Sequence, residues 1–150
     1  MKTYIIDIDG TVADCSHRLH LIQTNKPDWD AFHNLCPKDK PILPVIDVIR
    51  AIQNRYSDTR KFLYITGRME RNREMTMDWL ASLCLRVDDL LMRKENDHRK
   101  DEIIKPELLA EWMKVNGDCK IEACFEDRPC MVRKWREMGF TVFQMQHEEF

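Results

Sequence analysis

Short apolar runs along the chain alternate with stretches in which apolar residues recur at helical spacing. The runs are rich in Tyr, Ile, Phe and Leu, and they predict buried strands within residues 2–11 and at 61–66, 89–92, 120–125 and 140–145. The helical spacing predicts helices at 41–56, 70–83, 107–115 and 131–138. The charged run 93–105 predicts a solvated loop and a helix start that leads into the third of these helices. Strands that alternate with helices predict a three-layer, Rossmann-like α/β fold, in which a parallel sheet lies between helices.

The segment 12–44 breaks this alternation, because it is polar, irregular and contains four prolines. Its residues 15–23 and 29–35 predict two short helices, so we expect a small cap or flap above the carboxyl end of the first strand. Trp29 and Phe32 in this segment can stack on a base or pack the flap down, and packing is the expected role. The chain 1–150 is expected to form one domain with this insertion.

The composition narrows the class of protein. With 150 residues, 43% hydrophobic and 33% charged, the chain is typical of a soluble globular domain. No apolar run is long enough to span a bilayer, and Asp7 interrupts the first apolar run, so neither a membrane anchor nor a secretory leader is expected. Six cysteines without a C-x-x-C pair indicate reduced thiols and a cytoplasmic location. The formal net charge of −2 disfavours a broad surface for binding polyanions.

Polar residues that can take part in catalysis or metal binding follow three of the predicted strands. Asp7 and Asp9 follow the first strand, Thr66 ends the second, and Glu126 and Asp127 end the fourth. Because Asp7 and Asp9 are two positions apart, their side chains are expected to lean to the same side. Because ligands bind at the carboxyl ends of parallel strands, these side chains are expected to share one crevice. Neighbouring carboxylates repel each other unless a cation or a shared proton intervenes. Mg²⁺ prefers such oxygen ligands, so the crevice is a candidate magnesium site.

The same residues carry a family resemblance. Residues 7–11, DIDGT, resemble the first motif of the haloacid dehalogenase (HAD) superfamily of phosphotransferases, and Thr66-Gly67-Arg68 resembles its second motif. The resemblance implies that Asp7 is the nucleophile and that Asp9, protonated at first, is the general acid/base. It also implies a lysine paired with the nucleophile, for which Lys105 is the first choice and Lys100 the second. The Mg²⁺ ligands implied are Asp7, the carbonyl of Asp9, and Asp127, with Glu126 kept as an alternative.

A narrower resemblance covers nearly the whole chain. YITGR, MRKENDHRKDEIIK, FEDR, VRKWREMGF and the closing QMQHEEF are similar to the phosphatase domain of phage-type polynucleotide kinase/3′-phosphatases. In this reading Thr66, Arg68 and Lys105 stabilise the phosphoryl charge. The remaining residues expected at the substrate are Thr11, Arg18, Gly67, Arg93 and Lys100, although a solvated Arg18 is an equal alternative. The chain departs from the family pattern in its longer flap, and its 150 residues contain no G-x-x-x-x-G-K-[ST] phosphate-binding loop.

The resemblance implies a Mg²⁺-dependent phosphatase that works through an aspartyl-phosphate and acts on the 3′ end of a nucleic acid. Three alternatives stay open: a nucleoside monophosphate phosphatase, a small-molecule phosphatase, and a module that binds a phosphorylated end without turnover. The expected partner is a phosphorylated nucleotide or nucleic-acid 3′ end, with no membrane and no obligate protein partner evident.

Overall fold

The computed structural model describes residues 1–117 and 119–146. Its strands are β1 (Lys2–Ile6), β2 (Ala13–Asp14), β3 (Lys40–Pro41), β4 (Arg60–Met69), β5 (Asp89–Arg93), β6 (Lys120–Glu126) and β7 (Val142–Gln144). Its α-helices are α1 (Trp29–Asn34), α2 (Leu43–Arg55), α3 (Arg73–Ser82), α4 (Asp101–Asn116) and α5 (Pro129–Glu137). Short 3₁₀ helices at Ser16–Leu21, Cys36–Lys38 and Glu70–Asn72 complete the described secondary structure.

The central sheet contains five strands in the order β5-β4-β1-β6-β7. Every neighbouring pair in it is parallel. The chain therefore builds outward from β1 on one side through β4 and β5, and then on the other side through β6 and β7. The predicted parallel α/β architecture is confirmed. The order also places β1 between β4 and β6, so the carboxyl ends of these three strands lie side by side.

Alternating side chains divide the core into two halves, one on each face of the sheet. Ile6 of β1 packs with Ile46 and Ile49 of α2 and with Leu80 of α3. The preceding residue, Ile5, lies on the opposite face of the sheet and packs in a second cluster that includes residues of α4 and α5. Two helices on each face give the predicted three layers, and their packing fixes the strand ends that carry the polar residues.

The cap segment has a small apolar core of its own, formed by Cys15, Leu19, Ile22 and Phe32. Its two short strands, β2 and β3, pair antiparallel. Helix α1 starts where predicted, because the Asp28 carboxylate accepts from the Ala31 N–H (2.9 Å) and caps the first turn. The cap is attached to the body at Asp39, whose carbonyl accepts from the indole N–H of Trp79 (3.0 Å).

Several element boundaries differ from the sequence predictions. Strand β4 continues past Thr66 to Met69. Helix α4 begins at Asp101, within the charged run 93–105 in which a helix start is expected. Both extensions carry charged residues that become buried or paired in the folded chain. The sequence does not indicate this burial, because charged residues are usually exposed. The described part of the chain holds no helix with the length and apolar character needed to cross a bilayer. The closing QMQHEEF stretch lies in part at 147–150, outside the described residues.

Candidate active site at the carboxyl ends of the strands

Asp7 lies at the centre of the site, immediately after β1. Its backbone N–H donates to the carbonyl of Phe125 in β6 (3.0 Å), which fixes the residue between two neighbouring strands. The Lys105 ammonium donates to one carboxylate oxygen of Asp7 (Nζ to Oδ1, 2.6 Å), and the Thr11 hydroxyl donates to the other (Oγ1 to Oδ2, 3.0 Å). Donors on both oxygens hold the side chain in one orientation, as a positioned nucleophile requires.

Helix α4 brings Lys105 to Asp7 across 98 positions of sequence. The same ammonium contacts Glu126 at the end of β6 (Nζ to Oε2, 3.2 Å), and only 2% of the residue is exposed. Burial by itself would lower the pKa of Lys105, but Asp7 and Glu126 outweigh burial and hold the pKa above its ordinary value. Lys105 is therefore a permanent positive charge beside Asp7.

Three carboxylates converge at this point, those of Asp7, Glu126 and Asp127. Each offers an oxygen atom, and these oxygens all lie within 4.8 Å of one another. Burial, followed by the charge of Asp7, raises the pKa of both Glu126 and Asp127 above the ordinary range. One ammonium thus faces three carboxylates. The excess negative charge and the all-oxygen donor set fit a Mg²⁺ ion.

The turn after β1 is shaped for this cluster. Gly10 has a φ of +84°, a left-handed conformation that glycine adopts without strain. A Cβ at this position would lie 2.2 Å from the Asp127 carboxylate (Oδ2). The turn also returns Thr11 to the cluster, where its hydroxyl lies 3.3 Å from Asp127 Oδ1. Gly10 is therefore needed both for its backbone conformation and for the space that Asp127 occupies.

Asp9 faces a different set of partners from Asp7. Arg68 donates to both of its oxygens (Nη2 to Oδ1, 2.6 Å; Nε to Oδ2, 3.1 Å), and Arg18 donates to Oδ1 (Nη2, 2.6 Å). Both guanidinium groups also donate to Asp39 in the cap, at 2.6 Å from Arg18 and 3.1 Å from Arg68. Burial by itself would raise the pKa of Asp9, but Arg68 and Arg18 outweigh burial and hold the pKa well below its ordinary value.

These contacts differ from three sequence expectations. Arg18 and Arg68 are expected at the phosphate, whereas the structure buries both guanidinium groups completely behind Asp9. Asp7 and Asp9 are expected to lean to one side, whereas β1 ends at Ile6 and the carboxylates turn to different cations. Asp9 is expected to start protonated, whereas Arg68 and Arg18 hold its pKa well below the ordinary value when no substrate is bound. In each case, the cause is a partner delivered by a distant segment.

The second strand end supplies Thr66 and Gly67 to the site. The register between β4 and β5 shifts between Thr66 and Met69, so the strand bulges at this point. The Gly67 carbonyl accepts from Arg93 at the end of β5 (Nε, 2.9 Å). A Cβ on Gly67 would lie 2.7 Å from the Asp101 carboxylate, so a side chain here would displace Asp101. The bulge therefore lets the backbone approach the first turn of α4 closely.

A cavity of about 450 Å³ opens above these strand ends. The predicted site residues on its wall are Asp7, Asp9, Thr66, Gly67, Arg93, Lys100, Lys105, Glu126 and Asp127. Helix α1 of the cap forms another part of the wall. The structure thus gathers residues from the ends of four neighbouring strands, β5, β4, β1 and β6, and from α4 and the cap around one cavity.

Two acidic residues of the site, Asp39 and Asp101, were not assigned a role by sequence reasoning. Asp39 joins both buried arginines, and its position in a proline-rich segment carries no recognisable signal. Asp101 accepts from Arg93 (Nη2 to Oδ1, 2.6 Å) and from Arg128 (Nη1 to Oδ2, 3.1 Å). Asp101 lies four residues before Lys105, and that helical spacing places both on one face of α4, which is a usable signal.

Comparison with known proteins gives one family. Residues 1–150 match the family described as the polynucleotide kinase PNKP phosphatase domain. A protein of Autographa californica nuclear polyhedrosis virus, described as a bifunctional polynucleotide kinase/RNA ligase, is 28% identical over 146 residues. The match covers 96% of this chain and 19% of that protein. This chain therefore spans about a fifth of that relative.

Solved structures agree with the family. A chain of the Pnkp1/Rnl/Hen1 complex is 31% identical with a TM-score of 0.80, and the match covers 99% of this chain and 46% of that one. The class C acid phosphatase of Bacillus anthracis, solved with tungstate bound, is 14% identical with a TM-score of 0.69. That match covers 99% of this chain and 68% of the phosphatase, and it shows a shared fold. The chain spans less than half of the Pnkp1/Rnl/Hen1 chain that it matches.

Proposed function

The chain belongs to the PNKP phosphatase-domain family of the HAD superfamily and is a phosphoric monoester hydrolase, and from that premise we propose that it removes a phosphate from the 3′ end of a nucleic acid. The observation that carries the proposal is the buried contact between Asp7 and Lys105 (2.6 Å) on the wall of a cavity of about 450 Å³. A nucleophile, a permanent cation and space for a nucleotide meet there.

Asp7 is the proposed nucleophile. One of its oxygens attacks phosphorus in line and forms an aspartyl-phosphate, while the bond from phosphorus to the 3′ oxygen breaks. Water then attacks the same phosphorus, and the bond from phosphorus to Asp7 breaks. The hydroxyl of Thr11, 3.0 Å from Asp7 Oδ2, limits rotation of the carboxylate during both steps.

Asp9 is the proposed general acid and base. It gives its proton to the departing 3′ oxygen and later takes one from the attacking water, so it ends each cycle protonated. Without substrate, Arg18 and Arg68 favour the ionised form of Asp9. An arriving phosphate adds negative charge beside Asp9 and raises its pKa, which favours the proton that the first step needs. In this scheme Arg18 and Arg68 position Asp9 and tune its protonation.

Phosphoryl charge is stabilised by groups on the cavity wall. Lys105 and Arg93 supply positive charge, and Thr66 and Gly67 at the bulge of β4 supply hydrogen-bond donors. Lys100 reaches the same cavity from the start of α4. Removal of one such donor in other enzymes lowers kcat by about 10²–10³-fold, so these groups matter even though none reacts.

Asp7, Asp127 and Glu126 are the side chains proposed to hold Mg²⁺, together with the Asp9 carbonyl. When bound, the ion offsets the repulsion between the carboxylates and the phosphoryl oxygens. The convergence of their oxygens with one from Asp7, all within 4.8 Å of one another, supports this assignment.

Metal removal is expected to act on stability with a definite pH dependence. The pKa values of Glu126 and Asp127 are higher in the folded chain than in the unfolded chain, so the folded chain binds more protons at these two positions. Their contribution to the free energy of unfolding therefore falls as pH rises from about 4. Mg²⁺ stabilises the form that has lost those protons. The increase in Tm on adding Mg²⁺ to chelator-treated protein should therefore be larger at pH of about 8 than at about 5.

The check is thermal unfolding at both pH values with Mg²⁺ or with excess chelator, alongside phosphatase assays. Chelator should stop turnover and Mg²⁺ should restore it. The Glu126→Gln variant lacks one of the proposed titrating ligands, so its Tm increase should be smaller and should depend less on pH. An equal Tm increase at the two pH values would count against the assigned ligands.

A substrate panel tests the proposed substrate class. The names of the relatives mention an RNA ligase and an RNA repair complex, which favours RNA among nucleic-acid ends. With Mg²⁺ present, we expect kcat/KM to be highest for a 3′-phosphorylated oligonucleotide. The comparison set contains the 5′-phosphorylated oligonucleotide, 3′- and 5′-nucleoside monophosphates, and a sugar phosphate. Faster turnover of the mononucleotides would replace this proposal with a nucleotidase.

A further inference from the structure

Helix α1 of the cap turns three aromatic side chains toward the cavity, those of Trp29, Phe32 and His33. Phe32 is fully used in packing, because it is buried and the Arg18 guanidinium lies 4.1 Å from its ring centroid. Trp29 differs, since 46% of the residue is exposed. The expected packing role therefore holds for Phe32 alone, and the Trp29 ring is left available at the mouth of the site.

The Trp29 ring is held in place by its neighbours. It meets Phe32 edge to face, with ring centroids 5.7 Å apart, and lies nearly parallel to His33 at 6.1 Å. The next residue, Asp30, pairs with Arg71, which also contacts Glu95 and so ties α1 to the body of the protein. A rigid exposed indole loses little conformational entropy when a flat ligand stacks on it.

A second observation points to a ligand on this wall. His33 lines the cavity and is 7% exposed, and its Nδ1 is buried without a hydrogen-bond partner in the described part of the chain. Burial lowers the pKa of His33 to about 4, with the arginines Arg18 and Arg68 adding to the shift and Asp9 opposing it. A neutral imidazole with an unsatisfied buried nitrogen is costly, and a polar group of a bound nucleoside would supply the partner.

The size of the cavity also exceeds what the chemistry needs. A phosphoryl group fills a small part of about 450 Å³, a volume within the range of pockets that hold molecules of nucleotide size or larger. The wall around Arg99 and Lys100 is polar and of mixed charge, because Arg99 pairs with Asp97 and Glu107. The wall formed by α1 is aromatic and suits a base.

We propose that the exposed Trp29 ring is the stacking platform for the base of the terminal nucleotide, the one that carries the 3′ phosphate. This assignment rests on the proposed function, because it names how the same site recognises its substrate. Stacking is tolerant of base identity, since every base offers a flat face. The site would then require a base at the end without specifying which one.

The test compares two oligonucleotides that differ only in the last sugar, which carries either a base or no base. Trp29→Ala should lower kcat/KM for the base-bearing 3′-phosphorylated end by about 5- to 150-fold, the effect of losing one stacking contact. Its effect on the abasic end should be small. Trp29→Phe should retain most of the activity on the base-bearing end. Leu43→Ala truncates another exposed apolar side chain of the same segment and should leave kcat/KM unchanged for both substrates.

Equal losses on the two ends in Trp29→Ala would overturn the proposal, because a structural role or a protein partner on Trp29 cannot distinguish them. Binding separates this outcome from failure of the proposed function. The Asp7→Asn variant is titrated against an end that carries 2-aminopurine, whose fluorescence is quenched on stacking. If the quenching disappears in the double variant, which carries both Asp7→Asn and Trp29→Ala, stacking is supported even when 3′-phosphorylated ends prove to be poor substrates. Quenching that persists without Trp29 overturns it.

Discussion

Replacing Asp7 with asparagine is expected to abolish turnover, with kcat lowered at least about 10⁴-fold, as when a hydrolase loses its nucleophile. An amide has nearly the shape of the carboxylate but lacks its charged nucleophilic oxygen. The Thr11 hydroxyl keeps an acceptor in Asp7→Asn, and repulsion from Glu126 and Asp127 is relieved. The fold should therefore stay intact while the reaction stops. The measurement is kcat on a 3′-phosphorylated oligonucleotide together with Tm.

Asp47→Asn provides the matched control, because that carboxylate is 69% exposed on α2 and lies outside the cavity. It makes the same chemical change and should leave kcat unaltered. A direct readout is acid quenching of the wild-type reaction followed by mass spectrometry, which should find a phosphoryl group on the peptide that contains Asp7. Undiminished kcat in Asp7→Asn, or a phosphoryl group on a different residue, would refute the assigned nucleophile.

Replacing Lys105 with methionine is expected to damage both stability and activity. Methionine fills the space of the lysine stem but leaves three buried carboxylates, those of Asp7, Glu126 and Asp127, without the ammonium. Removing one partner of a buried ion pair costs about 3–5 kcal/mol of unfolding free energy. The loss should be largest without metal and at high pH, because protons or Mg²⁺ reduce the remaining repulsion.

Denaturant unfolding with chelator present measures this loss, and two further variants make it specific. Lys94→Met removes an ammonium that pairs with Glu111 on the surface, so its effect should be much smaller. Adding Glu126→Gln to Lys105→Met should recover part of the stability, because one buried charge is removed. It should not recover turnover. A Lys105→Met protein as stable as the wild type under chelation would show that Lys105 does not neutralise this cluster.

Much of the site was predictable because each motif stands at the end of a strand. An apolar run marks where a strand ends, and parallel strands in one sheet bring their carboxyl ends to one edge. Asp7, Thr66 and Glu126 therefore meet for a reason that is visible in the sequence. The sequence also indicates that the strand ends at Gly10, because glycine adopts backbone angles that other residues avoid. Only the structure shows that a Cβ there would lie 2.2 Å from the Asp127 carboxylate.

The partners of the charged side chains were not predictable in the same way. Nothing in the sequence near Arg18 states that it is fully buried between Asp9 and Asp39. The charged run that contains Asp101 is typical of a solvated loop and helix start, and it does start a helix, but the second turn of that helix is buried against β6. In both cases the residue's role depends on a segment more than 20 positions away or on a different element.

The order of apolar and polar residues was thus sufficient to determine the layered α/β architecture and the edge at which chemistry occurs. The periodicity of apolar residues is a local property of the sequence, and it determines where each strand ends. Tertiary packing alone decided which cation faces each aspartate, that two arginines hold the pKa of Asp9 low, and that Trp29 remains open to the cavity. These outcomes depend on distances between groups far apart in the chain, and burial strengthens the electrostatic interactions among them.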